Sequence, residues 1–148
     1  EDDGFRTTML PPADGIAAVV AIPSSPASTA KARTLLPKEV SLSDAVFNIS
    51  HAALTVAAIS SAPELLPSAL NDRLHETARR RAMPHSYRLV TALRENGLAA
   101  AISGAGSTVL VLHDGTAPQR VSRSVRALAS DDFVVRHLAV DCEGVTQR

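Results

Sequence analysis

Seven apolar residues in succession, I-A-A-V-V-A-I from Ile16 to Ile22, stand between Gly15 and Pro23. A short unbroken apolar run with breakers at both ends predicts a buried strand. Phe5 to Leu10 predicts a partner strand, with P-P-A-D-G as the turn of a hairpin. After Pro23 a Ser/Pro-rich opening resolves into a short helical piece ending near Pro37, because a residue that precedes proline is pushed out of the helical region. Ser41, with Asp44 three residues on, is a capping-box pattern and places a helix start at Leu42. Ala45, Ile49, Ala52, Val56 and Ile59 then recur at helical spacing, so a core face is expected for about five turns, to Ser60. Pro63 suits the first turn of a further helix that Pro67 must kink or restart, and whose stripe of Leu66, Leu70 and Leu74 leads through Arg81 to a break at Pro84. A last helix of this group, from about His85 to Glu95, is closed by Asn96-Gly97.

The periodicity then changes. Leu98 to Ile102 and Thr108 to Leu112 are short apolar runs rich in small and β-branched residues, separated by Ser103-Gly104-Ala105-Gly106-Ser107. Pro118 opens a helix with Val121, Val125 and Leu128 on one face, and Phe133 to Val140 predicts a final strand. The order implies an α+β domain, with helices on one face of a mainly antiparallel, ferredoxin-like sheet.

Composition narrows the function classes. The 148 residues fit about one domain. No apolar run reaches the roughly 18 residues of a membrane span, and E-D-D-G-F-R has no targeting pattern, so a cytoplasmic protein without membrane partners is expected. Fifteen basic and fifteen acidic side chains cancel, and aromatics are only 3%, which argues against nucleic acid as a partner. Cys142 is the lone cysteine, in keeping with a reducing compartment. The histidines at 51, 75, 85, 113 and 137 lack ligand spacing, so no structural metal is expected.

Three segments carry candidate chemistry. The stretch D-R-L-H-E-T-A-R, Asp72 to Arg79, is the densest: on a helical period Asp72, His75, Glu76 and Arg79 project from one polar face, where a guanidinium can clamp a carboxylate or phosphate. On these residues alone an ordinary solvated face remains open. The loop at Ser103, Gly104, Ala105 and Gly106 permits positive φ and close backbone approach, and serves equally as a tight turn or as an anion cradle. Ser28, Thr29 and Arg33 put hydroxyls and a guanidinium on one side of the short helix, able to hold a small anion or merely to cap it. Asn48 and His51 interrupt the apolar face of the long helix as satisfied core polars or as support for a site.

Taken together in this order, these segments resemble the C-terminal half of the GHMP kinase superfamily, and within it the homoserine kinase family. S-T-A-K-A-R-T-L-L-P looks like the T-x-x-A-R-x-x-L-P motif, and D-A-V-F-N-I-S-H-A-A-L like the D-A-V-x-N-x-x-x-A-A-L helix. D-R-L-H-E-T-A-R is similar to D-x-L-H-x-P-x-R, and A-I-S-G-A-G-S-T to the third superfamily motif, S-G-[AS]-G-P-[ST]. The similarity spans about Ile16 to Val140.

The resemblance implies ATP-dependent phosphorylation of the side-chain hydroxyl of L-homoserine, in threonine biosynthesis. Arg33, Arg79 and Thr29 fall at its substrate-binding positions, the arginines at the α-carboxylate; Ser103 to Gly106 match the loop beside the nucleotide phosphates; Asp72, His75, Glu76 and Asn48 become supporting neighbours. No catalytic residue is assigned. Thr77 and Ser107 depart from family prolines, which loosens backbone rather than deleting a functional group. The N-terminal half of the family, with its P-x-x-x-G-L-G-S-S phosphate loop and the residues that hold Mg²⁺, has no counterpart here, and the chain starts at Glu1 rather than Met. The expectation is therefore that residues 1–148 are the C-terminal domain of a longer enzyme and are inactive alone, ATP and Mg²⁺ being held mainly by the other half. A homodimer is possible on this reading. The alternatives are another small-molecule GHMP kinase and a non-catalytic ligand-binding or dimerisation module.

Overall fold

The computed structural model of the chain describes residues 8–25 and 28–143. Its frame is a four-stranded sheet in the order β2-β3-β1-β4, made of β1 (Ala17–Pro23), β2 (Ala99–Ile102), β3 (Val109–His113) and β4 (Phe133–Ala139). Every neighbouring pair is antiparallel. The apolar run at Ile16 to Ile22 supplies central β1, which pairs with β3 on one side, Val19 opposite Val111, and with β4 on the other, Val19 opposite His137. The expected hairpin partner does not form: residues 8–10 belong to no strand, Phe5 lies outside the described residues, and both edges of β1 are taken by strands from far along the chain.

Alternation across the pleat sorts the sheet residues into two cores. Val19, Ala21, Ala100, Val109 and Val111 face Leu89, Val90 and Leu93 of α5 (Pro84–Glu95) and Val121 and Val125 of α6 (Pro118–Leu128). The expectation of helices on one face holds for these two and not for the helices that cover the other face. Gly97, at φ 74°, closes α5 as a left-handed cap. On the opposite face, next to β2, Ala99 and Leu112 meet Leu54, Ala58 and Ile59 from α2 (Leu42–Ser60), together with Leu66 and Ala69 from α3 (Leu66–Ala69).

Ser41 caps α2, its hydroxyl accepting from the Asp44 N–H at 3.0 Å. The apolar face of this helix is covered only toward its C-terminal end. Leu42, Val46 and Ile49 are 80%, 53% and 70% exposed, and of the expected core face Ala52 and Val56 are exposed as well, while Ile59 alone joins the core beside Leu54 and Ala58. Periodicity reveals an apolar face but not which layer covers it. By length and composition alone α2 could cross a membrane, with a mean hydropathy of 1.4 over 18 residues, although Asp44, Asn48 and His51 interrupt it.

The second correction concerns residues 63–81. In place of a kinked helix there is a 3₁₀ turn (Pro63–Leu65), the single turn of α3, a loop over residues 70–75 and the single turn α4 (Glu76–Arg79). The cause is Asp72. Its carboxylate accepts from the backbone N–H groups of Leu74, His75 and Glu76 at 2.7 to 3.1 Å, giving the backbone an alternative to a continuous helix.

Candidate functional site

A cavity of about 230 Å³ opens between α2, the 70–79 segment and the S-G-A-G loop. Asn48, His51 and Thr55 border it from α2; Asp72, His75, Glu76 and Arg79 border it from the second motif; Ile102 and Gly104 come from the end of β2 and the loop beyond. Two segments about thirty residues apart thus meet at one place.

Their side chains do not share one polar face. Asp72 is turned onto its own backbone and is anchored from α2: Asn48 donates through Nδ2 to Asp72 Oδ1 at 2.7 Å and accepts the Arg73 N–H through Oδ1 at 2.9 Å. Burial raises the pKa of Asp72, but the hydrogen bonds from Asn48 and from the His75 and Leu74 N–H groups outweigh it, and the carboxyl is held below its ordinary range. His75 is half exposed, its Nδ1 lying 3.2 Å from Asp72 Oδ2. Glu76 turns inward to 7% exposure, where Arg94 of α5 grips both carboxylate oxygens at 2.8 and 3.0 Å. The same guanidinium donates to the carbonyls of Ala100, at 2.9 Å, and Leu70, so α4, α5, β2 and the end of α3 are tied at one point.

Arg79 borders the cavity without a carboxylate partner among the described residues. Its Nη1 leans on the Gly104 carbonyl at 3.4 Å, its Nε is buried without a hydrogen-bond partner, and it forms no ion pair among the described residues. Buried N–H donors almost always have partners, so the Arg79 Nε is an exception among the described residues. The loop that supports Arg79 is fixed: Ser103 N–H donates to Thr108 O at 2.9 Å and Gly106 N–H to Ser103 O at 3.0 Å. Gly106 sits at φ 92°, where L side chains are strained, and a Cβ there would also have to push aside the end of the Met83 side chain, 2.5 Å away at Cε. Toward the cavity the loop offers the Gly104 carbonyl to Arg79.

Arg33 is not brought to this cavity. In α1 (Thr29–Thr34) the fully buried residue is Ala32, and its neighbour Arg33, about 100° further round the helix, is turned to solvent. Thr29 opens α1, and its side chain lies outside the described set. Arg94 carried no signal of its role, since an arginine in the last turn of a helix ordinarily serves the helix dipole in water. His51 and Thr55 carried a signal, as polar residues within an apolar stripe, but not a partner.

The arrangement can hold a small carboxylate or phosphate against a guanidinium, in a pocket whose own carboxylates are fully engaged by N–H donors. The sequence profile described as GHMP kinases C terminal matches residues 54–131, a little over half of the chain, and the chain belongs to this family. The homoserine kinase of Streptomyces coelicolor is 42% identical over 99% of this chain and 46% of its own length, and that of Leifsonia xyli subsp. xyli is 43% identical over 97% of this chain and 45% of its own. Among solved structures, homoserine kinase from Cytophaga hutchinsonii superposes with a TM-score of 0.78 at 24% identity, over 90% of this chain and 44% of that one. The chain therefore spans about half the length of the curated relatives it matches.

Proposed function

We propose that residues 1–148 are the C-terminal, substrate-binding half of a homoserine kinase, which transfers the γ-phosphoryl group of ATP to the side-chain hydroxyl of L-homoserine in the cytoplasm. The observation that carries this reading is Arg79, whose guanidinium is held at the cavity by Gly104 O with Nε buried and unpartnered. Phosphoryl transfer asks a protein chiefly to position and to neutralise charge, and a fixed fork on the α-carboxylate aims the other end of a short amino acid. Thr29 and Arg33 belong to the same substrate surface in this reading, with α1 approaching once the rest of the enzyme is present.

ATP and Mg²⁺ are assigned to the other half. Among the described residues no group of three His, Cys, Asp or Glu side chains could hold a metal ion, and both cavity carboxylates are already engaged, Asp72 by N–H groups and Glu76 by Arg94. The exposed stripe of Leu42, Val46 and Ile49 on α2 is the surface that this other half covers. The test is steady-state kinetics of the full-length enzyme carrying Arg79→Ala. Losing a charged hydrogen-bonded contact raises KM for L-homoserine by a factor equivalent to about 2 kcal/mol, with KM for ATP little changed. An equal loss for both substrates would argue for a structural arginine. Residues 1–148 alone release no ADP above background, and turnover by them would overturn the division of labour.

A further inference from the structure

The four residues of α4 are too few to hold a helix by themselves, because a first turn fixes several dihedral angles in return for one hydrogen bond. No side chain caps the turn, and of its residues only Glu76 is buried. Asp72 fixes the backbone that enters it, through the Leu74, His75 and Glu76 N–H groups. The roll of the turn about its own axis is then set by where Glu76 is held, and Arg79 leaves the same turn three residues on. What holds Glu76 is Arg94. Its Nη1 and Nη2 reach the two carboxylate oxygens as a fork, at 2.8 and 3.0 Å, which fixes direction as well as distance.

Arg94 is itself anchored. It follows Leu89, Val90 and Leu93, which lock α5 into the core shared with the sheet. Its guanidinium also donates from Nε to Ala100 O at 2.9 Å and from Nη2 to Leu70 O. β2 is an edge strand, and Glu76 Oε1 accepts the Ile102 N–H at 3.4 Å, so the ion pair occupies an edge that no strand covers among the described residues. Ile102 leads into the loop whose Gly104 carbonyl supports Arg79 Nη1. The backbone that carries Arg79 and the carbonyl it leans on are therefore both tied to one guanidinium, although Arg94 does not line the cavity.

We infer that Arg94 is a positioning residue: through Glu76 and the end of β2 it sets the direction in which the Arg79 fork meets the substrate carboxylate. The inference rests on the kinase reading above and adds to it a residue outside the cavity. A misdirected fork weakens the hold on the amino acid and leaves the nucleotide alone, so the effect belongs in one KM.

The experiment measures steady-state kinetics and thermal midpoints of the full-length enzyme as wild type, Arg94→Lys, Arg94→Met, Arg79→Ala, Arg79→Ala/Arg94→Lys and Glu76→Leu/Arg94→Met, each assayed well below its midpoint. Lysine keeps the charge and loses the fork. Arg94→Lys raises KM for L-homoserine about 10-fold, with kcat and KM for ATP within about twofold of wild type. In the Arg79→Ala background the same change adds nothing, because the guanidinium it positions is gone. Glu76→Leu/Arg94→Met recovers much of the stability that Arg94→Met loses, yet keeps the raised KM, a split that a role in stability alone does not produce. The inference is overturned, and the kinase reading left intact, by an unchanged KM in Arg94→Lys, by an undiminished further loss in the Arg79→Ala background, or by a KM that returns to the wild-type value together with the midpoint. An Arg79→Ala enzyme with the wild-type KM for L-homoserine overturns both.

Discussion

Arg94→Met tests the tie beneath the site. The substitution keeps most of the side-chain stem and removes the guanidinium, leaving the Glu76 carboxylate 7% exposed, with only the Ile102 N–H at 3.4 Å in reach. Breaking a buried pair from one side costs about 3–5 kcal/mol, because a charge is left without compensation. In a domain of this size each kcal/mol moves the midpoint by roughly 2–4 °C, so Arg94→Met unfolds about 6–20 °C below wild type. Glu76→Leu loses less, since the Arg94 guanidinium keeps the Leu70 and Ala100 carbonyls. The double variant Glu76→Leu/Arg94→Met removes both charges, and much of the stability returns, giving a coupling of about 2 kcal/mol or more in a double-mutant cycle. Urea and thermal unfolding of the four proteins, followed by circular dichroism, supply the numbers. Single-variant losses below about 1 kcal/mol, or a double variant equal to the sum of its parts, would refute the reasoning.

Asn48→Ala removes two contacts that hold the 72–76 loop and costs about 1–3 kcal/mol in urea unfolding, with a raised KM for homoserine in the full-length enzyme because Arg79 is delivered by that loop. Gly106→Ala must accept φ 92° and displace Met83, and loses about 1–3 kcal/mol or the soluble protein outright. Stability falls in acid in two windows. Burial first, and then the neighbouring His137, hold the His113 imidazole below its ordinary 6.5, while Asp114 pulls weakly the other way. As pH falls below 6.5 the unfolded chain therefore binds the proton first, and stabilisation that is full above 6.5 is lost toward the folded value. Asp72, depressed below 3.8, repeats this at lower pH, and urea midpoints of wild type and His113→Phe from about pH 7.5 to 5 isolate the upper window as the part the variant flattens. Ile49→Ser leaves residues 1–148 within about 0.5 kcal/mol of wild type, since the side chain is 70% exposed, but destabilises the full-length enzyme if the other half covers it.

Local chemistry was legible wherever it acts over one turn or one strand. The Ser41 cap, the Gly97 terminus, Pro118 at a first helical position and the apolar run of β1 each fix backbone over a few residues, and each stands where the sequence put it. The two glycines of the loop announced a positive φ for the same reason. The motif from Asp72 to Arg79 was legible as chemistry but not as geometry. Helical spacing assumes a helix, and the Asp72 carboxylate had already captured the N–H groups that would have continued one.

What only the tertiary structure decided is which way each charge faces. Asp72, Glu76 and Arg79 lie within eight residues, yet one is satisfied by its own backbone, one by Arg94 from another helix and one by nothing but a carbonyl. Those partners come from residues 48, 94 and 104, and a partner so distant in sequence leaves no periodic trace in the segment itself. The sequence by itself determined that an arginine, an imidazole and two carboxylates would be present. Long-range packing determined that Glu76 is paired with a cation and Arg79 is not, because a buried charge must find a partner and, of the three charges Asp72, Glu76 and Arg79, the fold leaves Arg79 with a single carbonyl.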